Sequence, residues 1–146
     1  MLLTHLEPAE IDFLQQIKKE LSLETQEEVI KRVASVLQAL RQTLSRESAN
    51  ELINQLPDFL KLAFIGNWEV DEEVTPVNHL DEFVNLVQLR DVKSGKFYFK
   101  SEVQILSISI LTLKKLLEFG SLKDFEGLSP FIRQQLSEVS AEEIAA

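Results

Sequence analysis

Cysteine is absent from the 146 residues of this chain. Disulfide bridges, iron–sulfur clusters, thiolate zinc sites and cysteine nucleophiles are therefore excluded. Histidine and glycine are scarce, with two and four residues, and the sequence contains no phosphate-binding loop, zinc-protease helix or nucleophile elbow. We therefore expect no metal and no cofactor, and an enzyme of this composition would have to rely on carboxylates alone.

Long apolar runs are missing as well. The longest apolar-rich stretch, from Ile105 to Leu113, is interrupted by Ser107, Ser109 and Thr112, and it is far shorter than the roughly 20 residues that span a bilayer. Residues 1–6 lack the basic start and the apolar stretch of a secretory signal. The sequence therefore predicts a cytoplasmic protein without a membrane span.

Basic residues are outnumbered, and the net charge is −9. Residues 67–82 carry six acids and neither lysine nor arginine, so this segment supplies most of the net charge. Calcium loops need acids or amides at fixed alternate positions and a turn glycine, a pattern that residues 71–76 lack, so we interpret the stretch from Glu69 to Glu73 as a solvated loop. Because phosphate groups bind clustered lysines and arginines, we expect neither nucleic acid nor a membrane surface as a partner.

Apolar residues make up 45% of the chain, which is enough for one domain with its own core. They recur at helical spacing along most of the sequence. Thr25 and Glu28 form a capping box before a long predicted helix, and Gln38 and Arg41 fall on its polar face. Its apolar stripe consists of Val29, Val33, Val36, Leu37, Leu40 and Leu44. The sequence therefore predicts an all-α helical bundle.

Two stretches of the sequence are similar enough to be copies of one multi-helix unit. Residues 55–60, Gln-Leu-Pro-Asp-Phe-Leu, return at residues 127–132 as Gly-Leu-Ser-Pro-Phe-Ile, and the segment around Phe13 returns around Phe83. We therefore predict a single helical domain over residues 1–146 that arose by tandem duplication. Its parts are a first unit at about 8–66, an acidic connector at 67–78, a second unit at about 79–137 and a tail at 138–146.

The repeated motif predicts a structural corner rather than a binding site. Pro57 has no N–H group and a fixed φ angle, which suits a helix that starts directly after another has ended. Leu56 can fill the core beneath this corner, and Gln55 can bond to backbone groups left free there. In the second unit the equivalent pair is Ser129, a helix cap, and Pro130, a first-turn proline.

The two long predicted helices differ on their second face. The later one, from about Phe99 to Phe119, alternates locally like a strand around Ile108, but its alignment with the first long helix favours a helix. It carries an additional apolar stripe where the first helix is mostly polar. Such a helix is either central in its own fold or forms the seam of a homodimer. The candidate interface residues are Leu106, Ile110, Leu113, Leu117 and Trp68.

Two other groups have simple structural interpretations. His79 lies near Asp81 and Glu82, but a metal site needs further ligands, so we interpret this histidine as the start of a helix. The segment Lys96 to Lys100 mixes aromatic and basic residues, as some single-strand binders do. Because the chain as a whole is acidic, we expect this segment to pack against the long helix instead.

The succession from Val36 to Ser45, followed by Ser48-Ala49 and by residues 55–57, resembles the bacterial family known as domain of unknown function number 2267. A phenylalanine-bearing helix opens the second half of that family, as Leu80 to Val84 does here. The resemblance covers about residues 10–137, and the second copy departs from the family pattern at residues 127–130. It implies a repeated all-helical fold and brings no activity, cofactor or catalytic residue.

The sequence leaves three hypotheses for the function. The preferred one is a protein-interaction or structural module that forms a homodimer or binds a protein partner. The second is a binder of a small apolar ligand between the two units, where helical bundles commonly form pockets. The third is a carboxylate-based enzyme, which would require acids such as Asp12, Asp81 or Glu82 to converge in a cleft.

Overall fold

The computed structural model describes residues 8–66, 68, 72–118, 125 and 127–138. Within these ranges every regular element is an α-helix, which confirms the predicted all-α class. The helices are α1 (Pro8–Glu20), α2 (Gln26–Thr43), α3 (Arg46–Gln55), α4 (Asp58–Ile65), α5 (Leu80–Ser94), α6 (Glu102–Leu116) and α7 (Pro130–Glu138).

Side-chain caps fix the starts of α2 and α3. The Oγ1 of Thr25 accepts a hydrogen bond of 3.1 Å from the N–H of Glu28, and Ser45 accepts one of 3.1 Å from Ser48. Each bond satisfies an N–H that has no partner within its own helix. The capping box at Thr25 differs from the prediction, because the carboxylate of Glu28 accepts from the N–H of Glu24 instead.

α6 starts later than predicted. The sequence suggests a helix from about Phe99, but the chain stays non-helical until Ser101. The Oγ of Ser101 accepts a hydrogen bond of 3.1 Å from the N–H of Gln104 and so caps the helix at Glu102. The predicted end at Phe119 lies outside the described residues, and so does most of the predicted tail.

The two long helices, α2 and α6, form the centre of the fold. α2 contacts α1, α4, α5 and α6, whereas α6 contacts α1, α2, α5 and α7. The six apolar residues that form the predicted stripe on α2 are all at most 3% exposed. Because α2 packs against helices from both halves of the chain, the two halves share one hydrophobic core.

The burial of α6 corrects part of the predicted interface. Nine of its 15 residues are buried, and they include Ile110 and Leu113, which are 3% and 1% exposed. These two side chains pack inside the chain, so neither is available on its surface to a partner. Of the other residues on the second stripe, Leu117 is half-buried against the core and Leu106 is 39% exposed. The alternative of a central helix therefore describes most of α6.

A buried carboxylate joins α1 to α4. Glu10 is 0% exposed, and its Oε2 accepts a hydrogen bond of 2.9 Å from the N–H of Leu60. Leu60 lies in the first turn of α4, where backbone N–H groups lack helical partners and where the helix dipole favours an anion. The starts of these two helices are therefore held together.

Two buried hydroxyl groups on α6 have no hydrogen-bond partner in the described structure. Ser109 and Thr112 are both 0% exposed, and neither hydroxyl oxygen is bonded. A buried polar group without a partner costs about 1–3 kcal/mol of stability. The centre of the fold therefore contains a defect that an apolar side chain of the same shape would remove.

Replacing the Thr112 hydroxyl group tests this statement. We expect Thr112→Val to raise the free energy of unfolding by about 1 kcal/mol, because valine keeps the shape and removes the unpaired group. The control, Thr112→Ser, keeps the hydroxyl and deletes a methyl group, so it should lower that free energy by about 1 kcal/mol. Urea unfolding followed by circular dichroism measures both changes. A Thr112→Val variant less stable than the wild type would contradict the statement.

Candidate functional site

Arg41 is a buried cation, which corrects the prediction that it lies on the polar face of its helix. Its side chain is 0% exposed. Nη1 donates hydrogen bonds to the carbonyl oxygens of Phe64, at 2.9 Å, and of Gly66, at 2.7 Å. These carbonyls lie at the C-terminal end of α4, where they lack helical partners and where the helix dipole favours a cation. Arg41 therefore caps α4 from the side of α2.

The remaining donors of Arg41 bind one carboxylate. Nε and Nη2 donate to Oε2 and Oε1 of Glu72, at 3.0 and 3.1 Å, in a bidentate pair. Nη1 of Arg90 also donates to Oε1 of Glu72, at 2.8 Å, and to the side-chain oxygen of Gln42, at 2.6 Å. We refer to Arg41, Glu72 and Arg90 as the Arg41 cluster. It joins α2, the end of α4, the connector and α5.

The charge of Glu72 depends on this cluster. Burial pushes the pKa of Glu72 upward, but the hydrogen bonds and positive charges of Arg41 and Arg90 outweigh burial and leave the pKa lowered. Glu72 is therefore an anion at neutral pH. The partners Arg41 and Arg90 therefore stabilise this partly buried charge.

The connector is anchored to α2 rather than fully solvated. The N–H of Thr75 donates to the carbonyl oxygen of Gln42 at 2.8 Å, and the side-chain amide of Gln42 donates to the Thr75 hydroxyl at 3.0 Å. Together with Glu72, these bonds hold residues 72–75 against the end of α2. Glu73 and Val74 are exposed, as expected for a solvated loop, and residues 69–71 of the predicted loop lie outside the described residues.

Trp68, a candidate interface residue, lies over the Arg41 cluster. Its ring centroid is 5.4 Å from the guanidinium carbon of Arg41 and 5.8 Å from that of Arg46, within the range of cation–π contacts. The side chain is half-buried and packs against the core. Gly66 permits the close packing nearby, because a Cβ atom there would meet the amide nitrogen of Gln38 at 3.0 Å.

The first predicted corner lies between α3 and α4, and the second lies at the start of α7. Leu56 directly follows α3 and is 5% exposed, and Pro57 precedes α4 with a φ angle of −62°. Gln55, the last residue of α3, is half-buried. Ser129 precedes α7 and accepts a hydrogen bond of 3.2 Å from the N–H of Phe131, and Pro130 is the first residue of that helix.

A small cavity lies between the two halves of the chain. Its volume is about 10 Å³, which is the space of a single water molecule. Every lining residue is apolar, so the cavity offers no polar partner to a water molecule or a ligand. The lining residues are Leu40, Leu52, Leu113, Leu116, Leu117, Phe125 and Leu128. An apolar ligand between the two halves would have to enlarge this space considerably.

The acids proposed for catalysis are not buried in a cleft. Asp12, Asp81 and Glu82 are exposed, and none of them lines the cavity. Glu82 accepts hydrogen bonds of 3.0 Å from the N–H groups of Asn78 and His79, at the start of α5. In the described ranges, no three histidine, aspartate or glutamate residues form a group that could hold a metal ion.

Exposed apolar side chains concentrate around the connection between α5 and α6. Five of the nine large apolar residues that are exposed among the described residues lie between positions 89 and 106. They occupy the last turns of α5, the connecting loop and the first turns of α6, and these two helices contact each other. We call these residues the hairpin surface. Its members are Leu89, Val92, Phe97, Val103 and Leu106.

A model of the family described as "Uncharacterized conserved protein (DUF2267)" matches residues 11–125. The chain belongs to the DUF2267 family. The DUF2267 match includes both the Arg41 cluster and the hairpin surface, so both are parts of the family domain. No curated protein matches the chain at a significant level. None of the described helices combines the length and the apolarity that crossing a membrane requires.

Sequence reasoning missed two features of this DUF2267 domain. Arg41 follows Leu37 by four residues and Leu40 by one, so it borders the apolar stripe, and this position was a signal that it could be covered. Leu89 and Val92 are three residues apart on the face of α5 that is away from the core. That spacing could have indicated an exposed apolar surface.

Removing the charge of Glu72 tests the role of the Arg41 cluster. We expect Glu72→Gln to lower the free energy of unfolding at pH 7 by about 1–3 kcal/mol, because it leaves a buried cation poorly paired. The folded-state pKa lies below the ordinary value of 4.5. The Glu72 charge therefore makes its full contribution to the free energy of unfolding above pH 4.5. This contribution is lost as the pH falls through the folded-state pKa.

Urea unfolding between pH 7 and pH 3 measures this dependence. The difference between wild type and Glu72→Gln should shrink as the pH falls below about 4.5. The control, Glu73→Gln, removes the neighbouring exposed charge and should change stability by less than about 0.5 kcal/mol. A difference for Glu72→Gln that is the same at every pH would contradict the proposed role of its charge.

Proposed function

We propose that this chain is a non-enzymatic protein-interaction or structural module, and that it self-associates through the hairpin surface. The observation that carries the proposal is the concentration of exposed apolar side chains between residues 89 and 106. Single exposed apolar residues are normal on protein surfaces, whereas a group of them at one place is typical of a contact site.

The degree of exposure supports this choice of surface. Val103 is 71% exposed and Phe97 is 63% exposed, so both side chains would lose most of their contact with water on binding. Burial of an apolar side chain contributes about 1.5–3 kcal/mol. Of the interface residues suggested by the sequence, only Leu106 belongs to this surface. The contact site proposed here is therefore displaced from the middle of α6 to its start.

We further propose that the domain arose by duplication, with α1 to α4 forming one unit and α5 to α7 belonging to the other. Phe13 and Phe83, which match at an offset of 70, are 4% and 0% exposed. Leu60 and Ile132, which match at an offset of 72, are both 0% exposed. The part of the second unit equivalent to α3 falls largely on residues outside the described ranges.

Contacts between helix starts also support two related units. In the first unit a side chain of α1, that of Glu10, accepts from a backbone N–H at the start of α4. In the second unit the side-chain oxygen of Gln135 on α7 accepts a hydrogen bond of 2.8 Å from the N–H of Leu80, at the start of α5. In each unit a side chain of one terminal helix thus binds the backbone at the start of the other terminal helix. The backbone donor belongs to the last helix in the first unit and to the first helix in the second unit.

Measuring the mass in solution tests the proposed self-association. We expect light scattering after size-exclusion chromatography to show an average mass that rises above that of the monomer with concentration. Val103→Ser should raise the dissociation constant by about fivefold, because it removes apolar area from the contact. The thermal midpoint should stay unchanged, since this side chain packs little within the monomer.

The matched control is Leu62→Ser on α4. Leu62 is 63% exposed but lies outside the hairpin surface, so this change should leave association as in the wild type. A chain that stays monomeric at millimolar concentration would overturn the proposal. If Val103→Ser and Leu62→Ser weakened the association equally, the proposal would also be overturned, because general surface apolarity would then drive the association.

A further inference from the structure

The loop between α5 and α6 is held in a fixed conformation. Gly95 directly follows α5, and its φ angle of 73° places it in the left-handed region. The carboxylate of Asp91 then accepts hydrogen bonds from the N–H groups of Tyr98, at 2.9 Å, and Phe99, at 3.3 Å. Asp91 is buried, and Phe99 packs against the core. The hydrogen bonds to Asp91 therefore hold the loop directly after Phe97.

Phe97 has an unfavourable backbone conformation and an exposed ring. Its φ angle is 51°, in the left-handed region that a bulky side chain disfavours by about 1–2 kcal/mol. Its side chain is 63% exposed, so core packing does not compensate for this strain. A strained residue that presents an apolar ring to solvent is a candidate for a binding role, since strain of this kind concentrates at functional sites.

Three lysines lie close to Phe97 in the sequence of this acidic chain. Lys93, Lys96 and Lys100 are all exposed. None of them forms an ion pair with a described residue. The nearest acids in sequence are Asp91, whose carboxylate is occupied by the loop backbone, and Glu102 at the start of α6. The loop therefore combines an exposed apolar group with unpaired positive charge.

The connector offers the complementary chemistry. Residues 73–76, Glu-Val-Thr-Pro, are non-helical and exposed, and Val74 is 47% exposed. They belong to the segment that carries six acids and no base. The ties from Glu72 to Arg41 and from Thr75 to α2 hold these residues in place. An acid beside an apolar side chain in this anchored segment is complementary to a lysine beside an apolar ring.

An ion pair joins the connector to α5 within one copy. Arg90 binds Glu72 of the connector at 2.8 Å, and Arg90 lies about one turn before the end of α5. The lysine-bearing loop begins directly after that end. Two complementary patches on one chain can pair twice across a two-fold axis, each with the other patch of a second copy.

We infer that the Phe97 loop of one copy docks on the connector of a second copy, with Lys96 placed against Glu73 and the Phe97 ring against Val74. This inference rests on the proposed self-association and names the groups that carry it. A membrane is the other surface that an exposed phenylalanine with lysines could bind. The net charge of −9 disfavours it, because an anionic bilayer repels such a chain beyond the range of three lysines.

A charge exchange tests the pairing. Lys96→Glu alone and Glu73→Lys alone should each raise the dissociation constant about tenfold, because each turns an attraction into a repulsion. An equimolar mixture of the two variants should associate as tightly as the wild type, since every contact then joins opposite charges. Sedimentation velocity of each variant and of the mixture measures this, and 0.5 M salt should weaken the wild-type association.

A second variant separates binding from folding. Phe97→Gly removes the ring and also relieves the strained φ angle, because glycine adopts this region freely. We expect the thermal midpoint to stay equal or to rise while the association weakens. A purely structural role of the ring would instead lower the midpoint, and such a result would overturn the inference.

The outcomes of the exchange distinguish this inference from the broader proposal. Association that is unaffected by either charge reversal, or that fails to recover in the mixture, overturns the pairing but leaves the interaction module standing. A monomer under all conditions overturns both. Co-sedimentation of a monomer with phosphatidylserine vesicles that depends on Phe97 would also overturn the inference and assign the loop to a membrane.

Discussion

The fold depends on the need to pair one buried guanidinium group. Arg41 has no access to solvent, so each of its charged donors must find an acceptor within the protein. The carbonyl oxygens at the end of α4 and the carboxylate of Glu72 supply these acceptors. Meeting this one constraint fixes the end of α4, the path of the connector and, through Arg90, the position of α5. A segment that is acidic and non-helical thereby becomes part of the folded structure.

Local sequence patterns predicted those parts of the fold that are decided by local physics. The stripe on α2, from Val29 to Leu44, follows from helical periodicity, and the caps at Thr25 and Ser45 follow from the side-chain chemistry of helix starts. The burial of Arg41 did not follow, because it depends on Glu72, which is 31 residues away. The periodicity of α2 alone contains no information about Glu72, because this partner of Arg41 lies in the connector.

The second apolar stripe on α6 shows a different limit of sequence reasoning. Periodicity reveals that a helix has two apolar faces, but it does not reveal which neighbours cover them. In the structure, α6 contacts α1, α2, α5 and α7, and Ile110 and Leu113 are buried. Leu106, at the beginning of the helix, remains exposed. Which end of α6 stays exposed, and therefore where the hairpin surface lies, depends on the packing of all the helices and not on the sequence of α6 alone.

The acidic connector therefore has two faces with different roles. One face, through Glu72 and Thr75, holds the connector to the core, and the other leaves Glu73 and Val74 in solvent. The most direct test of this account is hydrogen exchange at the backbone amide of Thr75, which donates to Gln42 in α2. The account predicts exchange well below the rate of an unfolded chain, and loss of that protection in Glu72→Gln while the amide of Leu60 stays protected. Exchange of the Thr75 amide at the unfolded rate in the wild type would contradict it.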